Sequence, residues 1–221
     1  MVGMDIRLLI FDLDGTLIDS KLDLANAVNA ARAGAGLPPL DQETIASYVG
    51  NGAPTLMRRA LGPGFDDEQV AQALEFFLTY YRAHKLDHTR FYPGVPEALE
   101  AFGDRILAVL TNKPVRISRE ILEGLGAADR FRYIFGGNSF ENKKPHPEGV
   151  RTILEQSGVP AAQAMIVGDS AVDVQTGRNA GIHTCGVSYG FAPHTFEHSP
   201  PDMLVQNLNE LASLLSKGIR L

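Results

Sequence analysis

Ile6-Arg7-Leu8-Leu9-Ile10-Phe11-Asp12-Leu13-Asp14-Gly15-Thr16 is the stretch on which the reading of the fold turns. Its first six residues form a near-continuous apolar run that stops at two carboxylates and a glycine. A run without alternation reads as a strand covered on both faces, as in a parallel sheet. Ile106 to Leu110 (ILAVL) repeats the pattern and ends at Thr111-Asn112, and Ala164 to Val167 (AMIV) repeats it again and ends at Gly168-Asp169. Tyr133–Phe135 and His183–Val187 are weaker strand candidates. Helical patterns over 96–102, 116–125, 147–157 and 172–180 separate them. Alternating strands and helices predict an α/β fold, a doubly wound, mainly parallel sheet with a Rossmann-like core. Ligands in such sheets bind at the carboxyl ends of the strands, so the three polar strand ends are expected to converge.

The stretch from about Ser20 to His88 has no strand pattern. A helical periodicity (Leu22, Ala25, Val28, Asn29, Arg32) is followed by a break at 34–39. Further helices are predicted over 42–49, 53–61 and 67–83, the last with an apolar face of Leu74, Phe77, Leu78 and Tyr81. The expected organisation is an α/β core of residues 1–17 and 89–221, with an all-helical cap of residues 18–88 inserted between the first two core strands.

Composition narrows the class of partner. The 221 residues are 44% hydrophobic and carry a net charge of −6, which argues against a broad nucleic-acid or anionic-membrane surface. An anionic substrate therefore needs local help from a metal ion or a few placed cations. The single cysteine, Cys185, excludes an internal disulfide and suits a reducing compartment. No apolar run approaches the ~18 residues of a membrane span, and the expected location is the cytoplasm.

Two carboxylates one residue apart, Asp12 and Asp14, project to the same side of an extended strand end. Without a cation they repel, and one keeps its proton. Both features are useful if a metal is bound by the first and the second works as an acid. Gly15 permits a sharp turn that exposes backbone N–H groups to an anion; an Asp-rich turn after a strand is the plainer alternative. The Thr111 hydroxyl and the N–H groups around Asn112 suit phosphate oxygens, though Thr and Asn also simply cap strands. Lys143-Lys144-Pro145-His146-Pro147 offers an ammonium in a stiffened loop, where it would neutralise phosphate charge; a solvated basic pair is the ordinary fate of adjacent lysines. Asp169 and Asp173 stand four apart and share one helix face. Asp169 suits an oxygen-rich metal site and Asp173 suits holding metal-bound water or Lys144 in place, and helix capping is compatible with both.

These segments, in this order, resemble the haloacid dehalogenase-like hydrolase superfamily. DLDGT matches its first motif, Thr111 its second, Lys144 in KP its third and GDSxxD its fourth, and the helical segment matches its inserted cap. The resemblance implies a two-step phosphoryl transfer. Asp12 attacks phosphorus to form an aspartyl-phosphate, and Asp14 protonates the leaving alkoxide and then deprotonates water. Mg²⁺ is held by Asp12, the backbone carbonyl of Asp14 and Asp169, while Thr111, Asn112 and Lys144 hold the phosphoryl group. The turn Tyr48-Val49-Gly50-Asn51-Gly52-Ala53, the preceding DLANAVNAARAGAGLPPL and the later FYPGV are similar to bacterial phosphoglycolate phosphatases. This implies a small phosphate ester, first 2-phosphoglycolate, as substrate. Phosphatases of other sugar phosphates or of pyrophosphate, and a phosphomutase of the same fold, remain alternatives. A dehalogenase lacks the acid carboxylate present here as Asp14, and a non-catalytic binding protein has no need of Asp12, Lys144 and Asp169 together. Gly50, Asn51, Gly52 and Arg58 are the candidate specificity residues, with Lys21 and His146 as further candidates, and the protein is expected to be a monomer or homodimer.

Other signals point to structure. The pairs His84/His88 and His194/His198 have helical zinc spacing but no third ligand. Cys185 sits in an apolar strand pattern, and Gly62-Pro63-Gly64 lacks the residues that follow a phosphate loop.

Overall fold

All four residues of β1 (Leu8–Phe11) are fully buried, the signature of a central strand covered on both faces. The computed structural model describes residues 5–218, so the outermost ends of the expected core segments 1–17 and 89–221 lie outside the described residues. β1 is followed by β2 (Ile18–Asp19), α1 (Lys21–Gly34), α2 (Gln42–Ser47), α3 (Ala53–Leu61), α4 (Asp67–His84) and β3 (Arg90–Phe91). Then come α5 (Val95–Ala101), β4 (Ile106–Leu110), α6 (Val115–Gly124), β5 (Tyr133–Phe135), α7 (Glu148–Ser157) and β6 (Ala164–Gly168). The chain finishes with α8 (Ala171–Ala180), β7 (His183–Val187), β8 (Met203–Val205) and α9 (Leu208–Ser216). It divides into two compact units, Asp19–Arg90 and the remainder.

In the α/β unit six parallel strands run in the order β5-β4-β1-β6-β7-β8. Leu8 stands level with Ile106 on one side and Ala164 on the other, so β1, β4 and β6 end together. The chain builds β4 and β5 on one side of β1 and then β6 to β8 on the other. β1 is thus where the winding reverses, the position at which open α/β sheets bind ligands. On one face Leu8, Ile10, Ala108, Leu110 and Ile166 pack with Val150 and Ile153 of α7. Phe11 faces the other way, against Phe102 and Phe131. The edge strand β8 and α9, which packs on α5, complete the unit and were not expected from the sequence.

Between β2 and β3 the second unit is built from the helices α1 to α4. Asp66 and Gln69 form a reciprocal capping box that starts α4, and Val70, Phe77 and Tyr81 carry its buried face. Leu74 and Leu78, expected on that face, are half-buried. The fully buried Asp23 of α1 accepts hydrogen bonds from the backbone N–H groups of His88 and Thr89 and from the Thr89 hydroxyl, fastening the end of the unit to its beginning. No helix among the described residues is long and apolar enough to cross a membrane.

Candidate active site

Asp12 follows the last residue of β1, and its backbone N–H still donates to Val167 O of β6 (2.9 Å), so the nucleophile candidate is held by the sheet ladder. Beyond it Leu13 is fully buried, and the N–H groups of Thr16, Leu17 and Ile18 all turn back to Leu13 O. Gly15 closes this turn with φ +80°, in the left-handed region that glycine enters without strain. A Cβ there would also stand 2.2 Å from Asp169 Oδ2, and one on Gly190 would stand 2.1 Å from Asp169 Cβ. The two glycines thus form a cradle that lets the Asp169 carboxylate lie against the Asp12 loop.

Lys144 is the hub. Its Nζ lies 2.9 Å from Asp12 Oδ1 and 2.6 Å from Asp173 Oδ1. The Asp12 contact has ion-pair distance without hydrogen-bond angles, so buried Asp12 Oδ1 keeps an unfilled acceptor site. Asp173 also accepts from Ser170 N (3.2 Å) and Ser170 Oγ (2.7 Å), which starts α8. The backbone of Lys144 is clamped by Asn112, whose Nδ2 donates to Lys144 O (3.0 Å) and whose Oδ1 accepts from Lys144 N (3.0 Å). Asp169 Oδ2 accepts from the N–H groups of Phe191 (2.6 Å) and Ala192 (3.3 Å). Asp14 faces another lysine: Lys113 Nζ donates to both of its carboxylate oxygens at 3.0 Å.

Oxygens of Asp12, Asp169 and Asp173 all lie within 4.8 Å of one another. Three carboxylates this close strain against burial. Burial, offset in part by Lys144, pushes Asp12 up from 3.8 to about 6. Burial, with Asp173 and Asp12 adding to it, pushes Asp169 up to about 8. Burial would lower Lys144, but Asp12 and Asp173 outweigh it and raise this ammonium, which stays charged. An all-oxygen donor set of three carboxylates against the single ammonium of Lys144 fits a hard divalent cation. Burial raises the Cys185 thiol as well, in keeping with an inert core residue.

The geometry agrees with the sequence profile of haloacid dehalogenase-like hydrolases, which matches residues 9–187. The chain belongs to this family. Among its relatives, a phosphoglycolate phosphatase of Pseudomonas savastanoi pv. phaseolicola is 41% identical, over 93% of this chain and 78% of its own. A phosphoglycolate phosphatase of Vibrio vulnificus is 37% identical over 97% of this chain and 98% of its own. A crystal structure described as a predicted phosphoglycolate phosphatase from Haemophilus somnus superposes with a TM-score of 0.90 at 31% identity, covering 95% of this chain and 98% of that one.

Within the α/β unit of this haloacid dehalogenase-like hydrolase, Asp12, Asp14, Thr111, Asn112, Lys144, Asp169 and Asp173 are all buried around the ends of β1, β4 and β6. Two details depart from a simple reading of the motifs. The Asn112 side chain, a phosphate-binding candidate, is engaged with the Lys144 backbone. Lys113 was not singled out in the sequence, yet it is buried against Asp14; its signal is a lysine three residues past a buried strand end. His146 is exposed. In the helical unit, Gly50 and Gly52 have positive φ around the exposed Asn51, while Arg58 donates to Phe65 O (2.8 Å) and pairs with Asp67, bracing the turn between α3 and α4.

Proposed function

We propose that the chain hydrolyses 2-phosphoglycolate with Mg²⁺ as its cation, and that Asp12 is the nucleophile. The observation that carries this is Asp12 at the reversal strand, set against a charged Lys144 and within 4.8 Å of the Asp169 and Asp173 carboxylates. The phosphoglycolate phosphatases among its relatives supply the substrate. Asp12, Asp169 and the backbone carbonyl of Asp14 would hold Mg²⁺, which supplies positive charge for the phosphoryl oxygens.

A carboxylate oxygen of Asp12 forms a bond to phosphorus as the bond from phosphorus to the ester oxygen breaks. Asp14, which must enter this step in its acid form and so loosen the Lys113 contact to its two oxygens, gives that proton to the departing alkoxide, and glycolate leaves. Asp14, now a base, takes a proton from water, whose oxygen attacks phosphorus and breaks the acyl phosphate, restoring Asp12 and releasing phosphate. Lys144 neutralises the charge on the transferring group throughout, held by Asp173 from one side and Asn112 from the other. The Thr111 hydroxyl, which accepts from Lys113 N at 3.3 Å, donates to a phosphoryl oxygen. Residues 18–88 serve as the cap that selects substrate, with Gly50, Asn51 and Gly52 as its candidate contacts and Arg58 a weaker one.

The test is a panel of phosphorylated metabolites ranked by kcat/KM, with Asp12→Asn alongside. Phosphoglycolate is expected to rank first, chelation to stop turnover reversibly, and Asp12→Asn to abolish it. Wild-type turnover by Asp12→Asn would refute the mechanism, and a different first-ranked ester would refute the substrate.

A further inference from the structure

The α/β unit buries two ammonium groups beside the Asp12 and Asp14 carboxylates, and only Lys144 has a role in the chemistry described so far. Lys144 lies between Asp12 and Asp173, on the side of the nucleophile. Lys113 lies instead on Asp14, its side chain 6% exposed and its Nζ 3.0 Å from each carboxylate oxygen. It is also fixed at the backbone, where its N–H meets the Thr111 hydroxyl (3.3 Å) and its carbonyl accepts from Gly137 N (2.8 Å). A flexible four-carbon side chain has thus been anchored at both ends beside the group that handles the leaving oxygen.

We propose that Lys113 is a specificity-determining residue, selecting phosphate esters whose leaving group carries a carboxylate one carbon from the ester oxygen. This rests on the phosphatase reading above, in which the ester oxygen sits at hydrogen-bond distance from Asp14. With that contact at about 2.8 Å, the ester oxygen lies within roughly 6 Å of Lys113 Nζ. In a glycolate ester a single methylene joins that oxygen to the carboxylate, whose oxygens are therefore about 3 Å further on. That span brings the carboxylate to Lys113 while the ester oxygen remains on Asp14. When Asp14 carries the proton that it gives to the ester oxygen, its hold on the ammonium slackens, and a substrate carboxylate takes up the N–H groups that Asp14 had shared. A neutral leaving group gains nothing there. Lys113 thereby reads the leaving group while Lys144 reads the phosphoryl group.

An ammonium that only oriented Asp14 would affect every ester alike, and this separates the two roles. The experiment compares kcat/KM for 2-phosphoglycolate and for its uncharged amide, 2-phosphoglycolamide, in the wild type, Lys113→Met and Lys113→Arg. The wild type is expected to prefer the carboxylate, and Lys113→Met to reduce that preference at least about tenfold, the scale of one lost charge-assisted hydrogen bond. Lys113→Arg, which keeps the charge, is expected to retain most of the preference even if both rates fall. An unchanged ratio in Lys113→Met, or no preference in the wild type, overturns the proposal. If Lys113→Met does not fold, Lys113→Gln and the wild-type ratio decide by the same criterion. Failure of the wild type to hydrolyse any ester of the panel refutes the phosphatase reading itself, a result distinct from an unchanged ratio.

Discussion

Asp12 and Asp169 make the metal-free protein's stability depend on pH in an unusual direction. Both carboxyls are raised in the folded state, from 3.8 to about 6 and about 8, mainly by burial. Below about pH 4 both groups hold their protons, folded or unfolded, and neither affects stability. As pH rises the unfolded chain releases both protons while the folded chain keeps them. The unfolded state then binds fewer protons, so stability falls until the folded groups ionise near 6 and 8. Each tenfold difference in proton affinity between the two states is worth about 1.4 kcal/mol, so the rise of Asp169 from 3.8 to about 8 alone puts the loss by about pH 8 on the order of 5 kcal/mol, and Asp12 adds to it. For a protein of this size that is roughly 10–20 °C in Tm. A divalent cation favours the ionised carboxylates and reverses the loss, so its effect on Tm should be small near about pH 5 and large near about pH 8. Differential scanning calorimetry of wild type and Asp169→Asn, with Mg²⁺ and with chelator, isolates the contribution from other titrating groups. Asp169→Asn should lose most of both the pH slope and the cation-induced shift. A variant that keeps the wild-type shift, or a cation effect that shrinks toward high pH, would refute the reasoning.

Other outcomes follow from single residues. Asn112→Ala removes both clamps on the buried Lys144 backbone and should cost about 2–4 kcal/mol in urea denaturation, with kcat reduced more than KM because Lys144 loses its placement. Gly15→Ala puts a Cβ in a left-handed position and against Asp169 Oδ2, so titration calorimetry should record weaker Mg²⁺ binding, whereas an unchanged affinity would remove Gly15 from the cradle. Asp23→Ala leaves two backbone donors of His88 and Thr89 without their acceptor, and amide exchange at Thr89 should accelerate by at least about tenfold.

The strands that carry chemistry were the most legible part of the chain. Runs such as LLIF and ILAVL are buried on both faces, so they show no alternation and stop sharply where polar residues begin. β8 escaped because Val205 alone of its three residues is buried, which leaves no apolar run to read, whereas α9 does carry a helical spacing in Leu208, Leu211 and Leu215. The side chains that bind other side chains were the least legible. Asn112 reads equally well as a phosphate ligand or a backbone clamp, and only its two bonds to a residue 32 positions away decide what its amide does. Lys113 looks like any solvated lysine in a string of letters, and the turn at Gly15 that brings Asp14 to it is tertiary information. Arg58 was attractive for its charge, but its partners Phe65 and Asp67 lie across a loop whose path the sequence does not specify.

The carboxylate of Asp173 serves two structures at once, the opening turn of α8 and the ammonium of Lys144. Fraying at that helix end and release of the ammonium are therefore one event. A local opening that leaves the sheet intact would already silence the site, so activity should vanish before the global melt begins. The converse also holds: an anion seated on Lys144 would quiet a helix terminus it never touches, and exchange at Ser170 and Asp173 would report occupancy without any probe on the ligand.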